Sequence, residues 1–150
     1  MKAFLAKRST QMKVFLDVGA YMPTYAHDAD AGMDLRTPVA FIVPAHGDYT
    51  VDTGVHVQIP VGNVGFIKSK SGLNVNAGLT ATGVVDALYD GSIRVKLYNH
   101  SDEDYVFSRG DKITQMVILP IAKFDLELID TQECFEKSER GSAGFGSTGK

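Results

Sequence analysis

A second cysteine is missing from this 150-residue chain, so Cys134 has no partner within it and a disulfide-stapled scaffold is excluded. A basic excess is missing too: 15 Lys plus Arg stand against 18 Asp plus Glu, a formal charge of −3. That balance gives no drive toward non-specific binding of nucleic acid or of an anionic membrane. No apolar run approaches the ~18 residues of a membrane span. The opening MKAFLAKRSTQMKVFLDVG lacks the apolar core of about 7–15 residues that marks a signal peptide. His27, His46, His56 and His100 are scattered, with no His-x-His or HExxH spacing, so a structural zinc site is disfavoured. GxSxG, Walker A and strand-linked GxGxxG strings are absent as well. The expectation is one soluble, cytoplasmic globular domain.

What is present is the punctuation of a β protein. In TVDTGVHVQIP, Val51, Val55, Val57 and Ile59 share one parity. In SIRVKLYN, Ile93, Val95 and Leu97 alternate with Arg94 and Lys96, a period of two that suits a strand with one buried face. ITQMVILP (113–120) is more uniformly apolar and predicts a strand buried on both faces. Phe124, Leu126 and Leu128 alternate with Asp125 and Glu127, which predicts another strand. Segments 39–43, 64–69 and 105–107 read as strands too. Turn residues recur at short intervals, the mark of a sandwich or jelly roll. No twelve-residue window carries a helical stripe, although a helical turn fits after Ser71-Gly72. Beyond about Asp130 the chain becomes polar, then rich in Gly and Ser, which predicts a flexible C-terminal arm over 140–150 following a β domain over 1–139.

Five small-residue segments carry polar or charged groups: AGMDLRTP (31–38), KSKSGL (68–73), GVVDALYDG (83–91), RGDKITQMVILP (109–120) and RGSAGFGSTG (140–149). Singly, each has a plain explanation. A Gly in a β protein supplies a turn or bulge, and an adjacent Asp caps it.

In this order and spacing they resemble the five motifs of the trimeric dUTP pyrophosphatases (dUTPases), and the resemblance spans Ala31 to Gly149. It implies an all-β, distorted jelly-roll or β-clip-like barrel, assembled as a homotrimer whose active sites are shared between subunits. The implied reaction is hydrolysis of dUTP to dUMP and pyrophosphate, with Mg²⁺ carried on the triphosphate by phosphate oxygens and water, and no direct protein ligand. It would limit uracil in DNA and supply dUMP, in a host cell's cytoplasm if the chain is phage- or virus-encoded.

By the same resemblance, Asp86 orients and deprotonates the attacking water, and Tyr89 packs on deoxyribose and leaves no room for a 2′-hydroxyl. Uracil is read by backbone groups around Thr80, Gly83, Val84, Val85 and Asp86, and by Arg94 through its backbone. Lys70, Ser71, Gly72 and Gln115 contact the phosphates, with Gln115 at the α-phosphate. Arg140 reaches the γ-phosphate, Phe145 stacks over uracil, and Gly146, Ser147 and Thr148 complete the γ-phosphate contacts. Asp34 is expected to support the phosphate and metal region.

Lys70 stands where the family generally has Arg, Thr80 where many bacterial members have Asn, Leu88 where Asp or Gly is frequent, and Ala143 where Gly is frequent. Two rivals remain: a nucleotide-dependent regulatory or binding protein on the same fold, and dCTP deaminase. The deaminase needs a glutamate near the pyrimidine C4, and ITQMVILP contains no acidic residue.

Overall fold

The computed structural model describes residues 11–136, 138 and 141–142. Its elements run β1 (Lys13–Leu16), β2 (Gly32–Arg36), β3 (Phe41–Val43), β4 (Asp48–Asp52), β5 (Val55–Gln58), β6 (Asn63–Lys68), α1 (Ser71–Ala77), β7 (Leu79–Val85), β8 (Arg94–Asn99), β9 (Tyr105–Phe107) and β10 (Lys112–Pro120), then a single 3₁₀ turn at Gln132–Cys134. Six strands form one sheet in the order β2-β10-β6-β7-β8-β4, while β1-β5 and β3-β9 are separate two-stranded ladders. Every ladder is antiparallel. The result is an all-β, jelly-roll-like fold, as the alternation and turn spacing predict. None of the described helices is long and apolar enough to cross a membrane.

Alternation builds the core. Val51, Val55, Val57, Ile59, Ile93, Val95 and Leu97 are all buried, and burial of such side chains is worth about 1.5–3 kcal/mol each. They meet Leu35, Leu79, Phe107, Ile113 and Met116 in one cluster. Phe41 stacks against Tyr49 with ring centroids 4.5 Å apart and against Phe107 at 5.0 Å. The apolar parity of 51–59 crosses two strands rather than one: the chain turns at Thr53-Gly54, where Gly54 has φ +65°. Thr53 is buried at that corner and its hydroxyl donates to the Ile93 carbonyl at 2.7 Å. The corner keeps the inward parity while changing the pairing partner.

Several expectations are revised. AGMDLRTP reads as a turn, yet Gly32–Arg36 is strand β2, paired with β10 and buried over its first four residues. The strand predicted at 124–128 does not form. Phe124, Leu126 and Leu128 are 81%, 96% and 96% exposed, and among the described residues no strand pairs with them. An alternating sequence without a partner edge has nothing to pair with. The strand expected to be buried on both faces is so only in part: β10 buries Ile113, Thr114 and Met116 between β2 and β6 and surfaces toward Leu119. The stretch after Ser71 is a full α-helix, closed by Gly78 in the left-handed region at φ +64°.

Candidate active site

The hairpin of β7 and β8 is zipped at one end and open at the other. Leu79, Thr80 and Ala81 pair with Asn99, Tyr98 and Leu97. Residues 82–85 pair on their other side with β6, through Lys68, Ile67, Phe66 and Gly65. Over 82–85 the β8-facing edge of β7 therefore carries backbone groups outside either ladder. A groove of about 300 Å³ opens there, lined by Gly83, Val84, Val85, Asp86, Tyr89 and Arg94, with Ile67 and Ile93 at its base. It brings together six of the expected residues. Thr80 lies in the zipped half instead, its hydroxyl 2.8 Å from His100 Nε2.

Asp86 follows the last residue of β7 and is exposed. The turn after it is tight: Tyr89 N–H donates to the Asp86 carbonyl at 3.3 Å, and Leu88 N–H to Ile59 at 3.2 Å. Leu88 has φ +64°, a left-handed conformation that costs a residue with a Cβ about 1–2 kcal/mol. The Tyr89 hydroxyl donates to the Ser92 carbonyl at 3.3 Å, directly over Gly91, where any Cβ would collide with the tyrosine ring. The small residue at 91 therefore leaves the ring room to lie there. Arg94, on the far wall, approaches Asp52 at 3.5 Å. Asp52 also accepts from the Ser92 hydroxyl and from Gly54 N–H, and these contacts hold its carboxyl below the usual range, the Ser92 bond first.

A second polar group gathers on the β2-β10-β6 side. Asp34 is 4% exposed and lies opposite Gln115 across the β2-β10 ladder. Lys70 pairs with one of its oxygens, and Lys112 with the other at 2.5 Å. Burial pushes this carboxyl upward, but the two ammonium groups outweigh it and hold it below its ordinary value. Gln115 donates from Nε2 to the Ser69 carbonyl at 3.0 Å, while the Ser69 hydroxyl accepts from Ala81 N–H at 2.9 Å. Gly32 permits this arrangement, because a Cβ there would run into Gln115 Oε1. Ser71 and Gly72 are exposed at the opening of α1.

Asp34, Lys70, Ser71, Gly72 and Gln115 do not line the groove of Asp86 and Tyr89, so one chain holds the expected residues in two separate groups. Arg140, Phe145, Gly146, Ser147 and Thr148 lie outside the described residues. Lys112, Ser69, Asp52 and Ser92 escaped the sequence reading. Ser69 and Lys112 lie inside two of the five segments, but the contacts of all four residues run across the sheet and no local pattern announces them. Among the described residues no group of three or more His, Cys, Asp or Glu side chains could hold a metal ion. Asp34, the buried carboxylate, is already neutralised by two cations and is ill suited to bind a third.

A dUTPase family model matches residues 19–149. The deoxyuridine 5′-triphosphate nucleotidohydrolase of Candida albicans is 41% identical over 145 residues, covering 95% of this chain and 91% of that protein. That of Clostridium tetani is 39% identical, covering 87% and 90%. Among solved structures, a Staphylococcus bacteriophage 80alpha dUTPase with dUpNHpp superposes with a TM-score of 0.87 at 30% identity, covering 95% of this chain and 100% of that one. A mutant dUTPase from phage phi11 of S. aureus, which coordinates a structural Mg(II) ion, superposes at 0.76 with 26% identity, covering 82% and 99%. The sheet order, the open hairpin ending on Asp86 and these matches lead to one conclusion: the chain belongs to the dUTPase family.

Proposed function

We propose that the chain hydrolyses dUTP to dUMP and pyrophosphate, with Asp86 activating the attacking water. The observation that carries this reading is the open half of the β7-β8 hairpin, whose backbone groups at 82–85 line a groove that ends on an exposed carboxylate. Uracil presents alternating acceptors and an N–H, much like a peptide edge, and backbone groups on the groove wall can read it as a strand reads its partner. Cytosine reverses that donor and acceptor pattern and leaves buried groups unpaired; a C5 methyl clashes with a narrow wall. Tyr89, lying over Gly91, excludes a 2′-hydroxyl. In the reaction the water oxygen bonds to the α-phosphorus, its proton passes to Asp86, and the α–β bridging oxygen leaves with pyrophosphate.

The phosphates fall to Lys70, Ser71, Gly72 and Gln115, with the arm over 140–150 closing the site through Arg140, Phe145, Gly146, Ser147 and Thr148. One chain keeps the Asp86 groove apart from the Gln115 cluster, so the site is completed between subunits of a homotrimer. The exposed apolar side chains of Phe124, Leu126 and Leu128 support such association. Mg²⁺ arrives with the substrate, held by phosphate oxygens and water, and neutralises charge on the triphosphate. The enzyme would act in the cytoplasm, lowering dUTP and supplying dUMP. The test is pyrophosphate release from dUTP, dTTP, dCTP and UTP. Strong preference for dUTP supports the reading, and equal turnover of dUTP and dTTP contradicts it. Ammonia released from dCTP would instead favour the deaminase.

A further inference from the structure

We propose that His56 is a positioning residue for this reaction: as an imidazolium it ties the turn that carries Asp86 and Tyr89 to Asp17, and so maintains discrimination against ribose. The inference rests on the assignment of Tyr89 to the sugar made above.

The turn between β7 and β8 needs holding. Leu88 sits at φ +64°, a conformation disfavoured for any residue with a Cβ. Space lies on both sides. In front is the groove of about 300 Å³, and behind it a second cavity of about 380 Å³ lined by Lys13, Phe15, His56, Leu88, Tyr89 and Asp90. Tyr89 borders both, so a relaxed turn has somewhere to go. The hydrogen bonds at Leu88 and Tyr89 are long: 3.2 Å from Leu88 N–H to Ile59, and 3.3 Å for both bonds of Tyr89. His56 makes a shorter one at the next residue, with Nδ1 2.7 Å from the Asp90 carbonyl oxygen, while Ser92 and Ile93 tie the far end of the turn to Asp52 and Val55. Its Nε2 lies 3.2 Å from Asp17 Oδ2, just past the end of β1.

A carbonyl oxygen and a carboxylate both only accept. Neutral imidazole carries one N–H and can satisfy one of them, whereas the imidazolium donates to both. The groups facing the ring favour the charged form. The Asp90 carbonyl comes first, then the Asp17 carboxylate, with Asp52 of β4 adding its field, and together they raise the His56 pKa above its ordinary value. Desolvation of the ring opposes them; Lys13 of β1 lines the same cavity, and Phe15 places its ring edge-on at 5.3 Å between centroids. A raised folded-state value means that the latch is complete below about pH 6.5 and is lost as pH rises through the folded value.

The test measures kcat/KM for dUTP and for UTP from pH 6 to 9, with the full-length wild type, His56→Gln, Asp17→Asn and Tyr89→Ala. Both substrates share base and triphosphate, so their own titrations cancel in the dUTP/UTP ratio, as does any loss of folded enzyme. In the wild type the ratio falls about two- to fivefold across this range, the worth of one partly exposed ionic contact. His56→Gln has the lowered ratio at every pH, and Asp17→Asn moves the fall to lower pH. A His56→Gln ratio that matches the wild type in size and pH dependence, while Tyr89→Ala loses it, overturns the latch alone. A Tyr89→Ala ratio equal to wild type overturns the sugar assignment and the latch with it.

Discussion

Asp34→Asn removes the charge that two lysines share, and its cost follows from how the three groups are buried. Asp34 is 4% exposed, whereas the side chains of Lys70 and Lys112 are 26% and 34% exposed. Removing one partner of a fully buried pair costs about 3–5 kcal/mol, because the other charge stays buried and unpaired. Here both ammonium groups can turn partly to water, which lowers the expected loss to about 2 kcal/mol. For a chain of this length that is roughly 4–8 °C in Tm. The loss also has a pH signature. The Asp34 pKa is lowered in the folded state, so its stabilisation is complete above its ordinary value of 3.8 and is lost as pH falls from there through the folded value. Urea unfolding of wild type and variant at one protomer concentration, from pH 7 down to pH 3, should show a gap that narrows below about pH 4. Lys112→Met should cost less in the Asp34→Asn background than in the wild type, since it then removes an unpaired charge. A gap that stays constant from pH 7 to pH 3 refutes the ion-pair reasoning and leaves Asp34 as a packing residue.

Gly32→Ala puts a methyl against the amide end of Gln115 and within 3.1 Å of its Cβ, and should displace that amide and lower dUTP turnover by roughly 10–10²-fold in the folded protein; a wild-type kcat would detach Gln115 from the reaction. Truncation after Glu139 should leave the oligomer intact by size-exclusion chromatography and lower kcat/KM sharply, with Phe145→Ala alone costing about 1–3 kcal/mol of stacking. A truncated chain that turns over dUTP normally would remove the arm from the site.

The sequence carries much of this architecture because alternation is a local signal. Val55, Val57 and Ile59 announce β5 and its inward face, and Ile93, Val95 and Leu97 announce the core residues of β8 and its approach. The same signal misleads at Phe124, Leu126 and Leu128, where alternation is present but a pairing edge is not. It also fails at Gly32–Arg36, whose Gly and Asp read as turn residues. There Gly32 makes room for Gln115, and Asp34 is tolerated inside because Lys70 and Lys112 come from elements far along the chain. The groove residues from Gly83 to Tyr89 were legible through the resemblance of GVVDALYDG to a dUTPase motif. His56 and Asp52 were not, since each looks like an ordinary polar residue on an exposed strand face until the turn at 86–91 folds against it.

Single-turnover hydrolysis of dUTP by Asp86→Asn tests whether Asp86 activates the attacking water. The amide keeps the size of the carboxylate but cannot take the proton. With Asp86 as the base, the variant keeps its fold and dUTP binding while its rate falls by roughly 10²–10⁴, the usual worth of a positioned general base. Hydrolysis by the bound variant at the wild-type rate would contradict it.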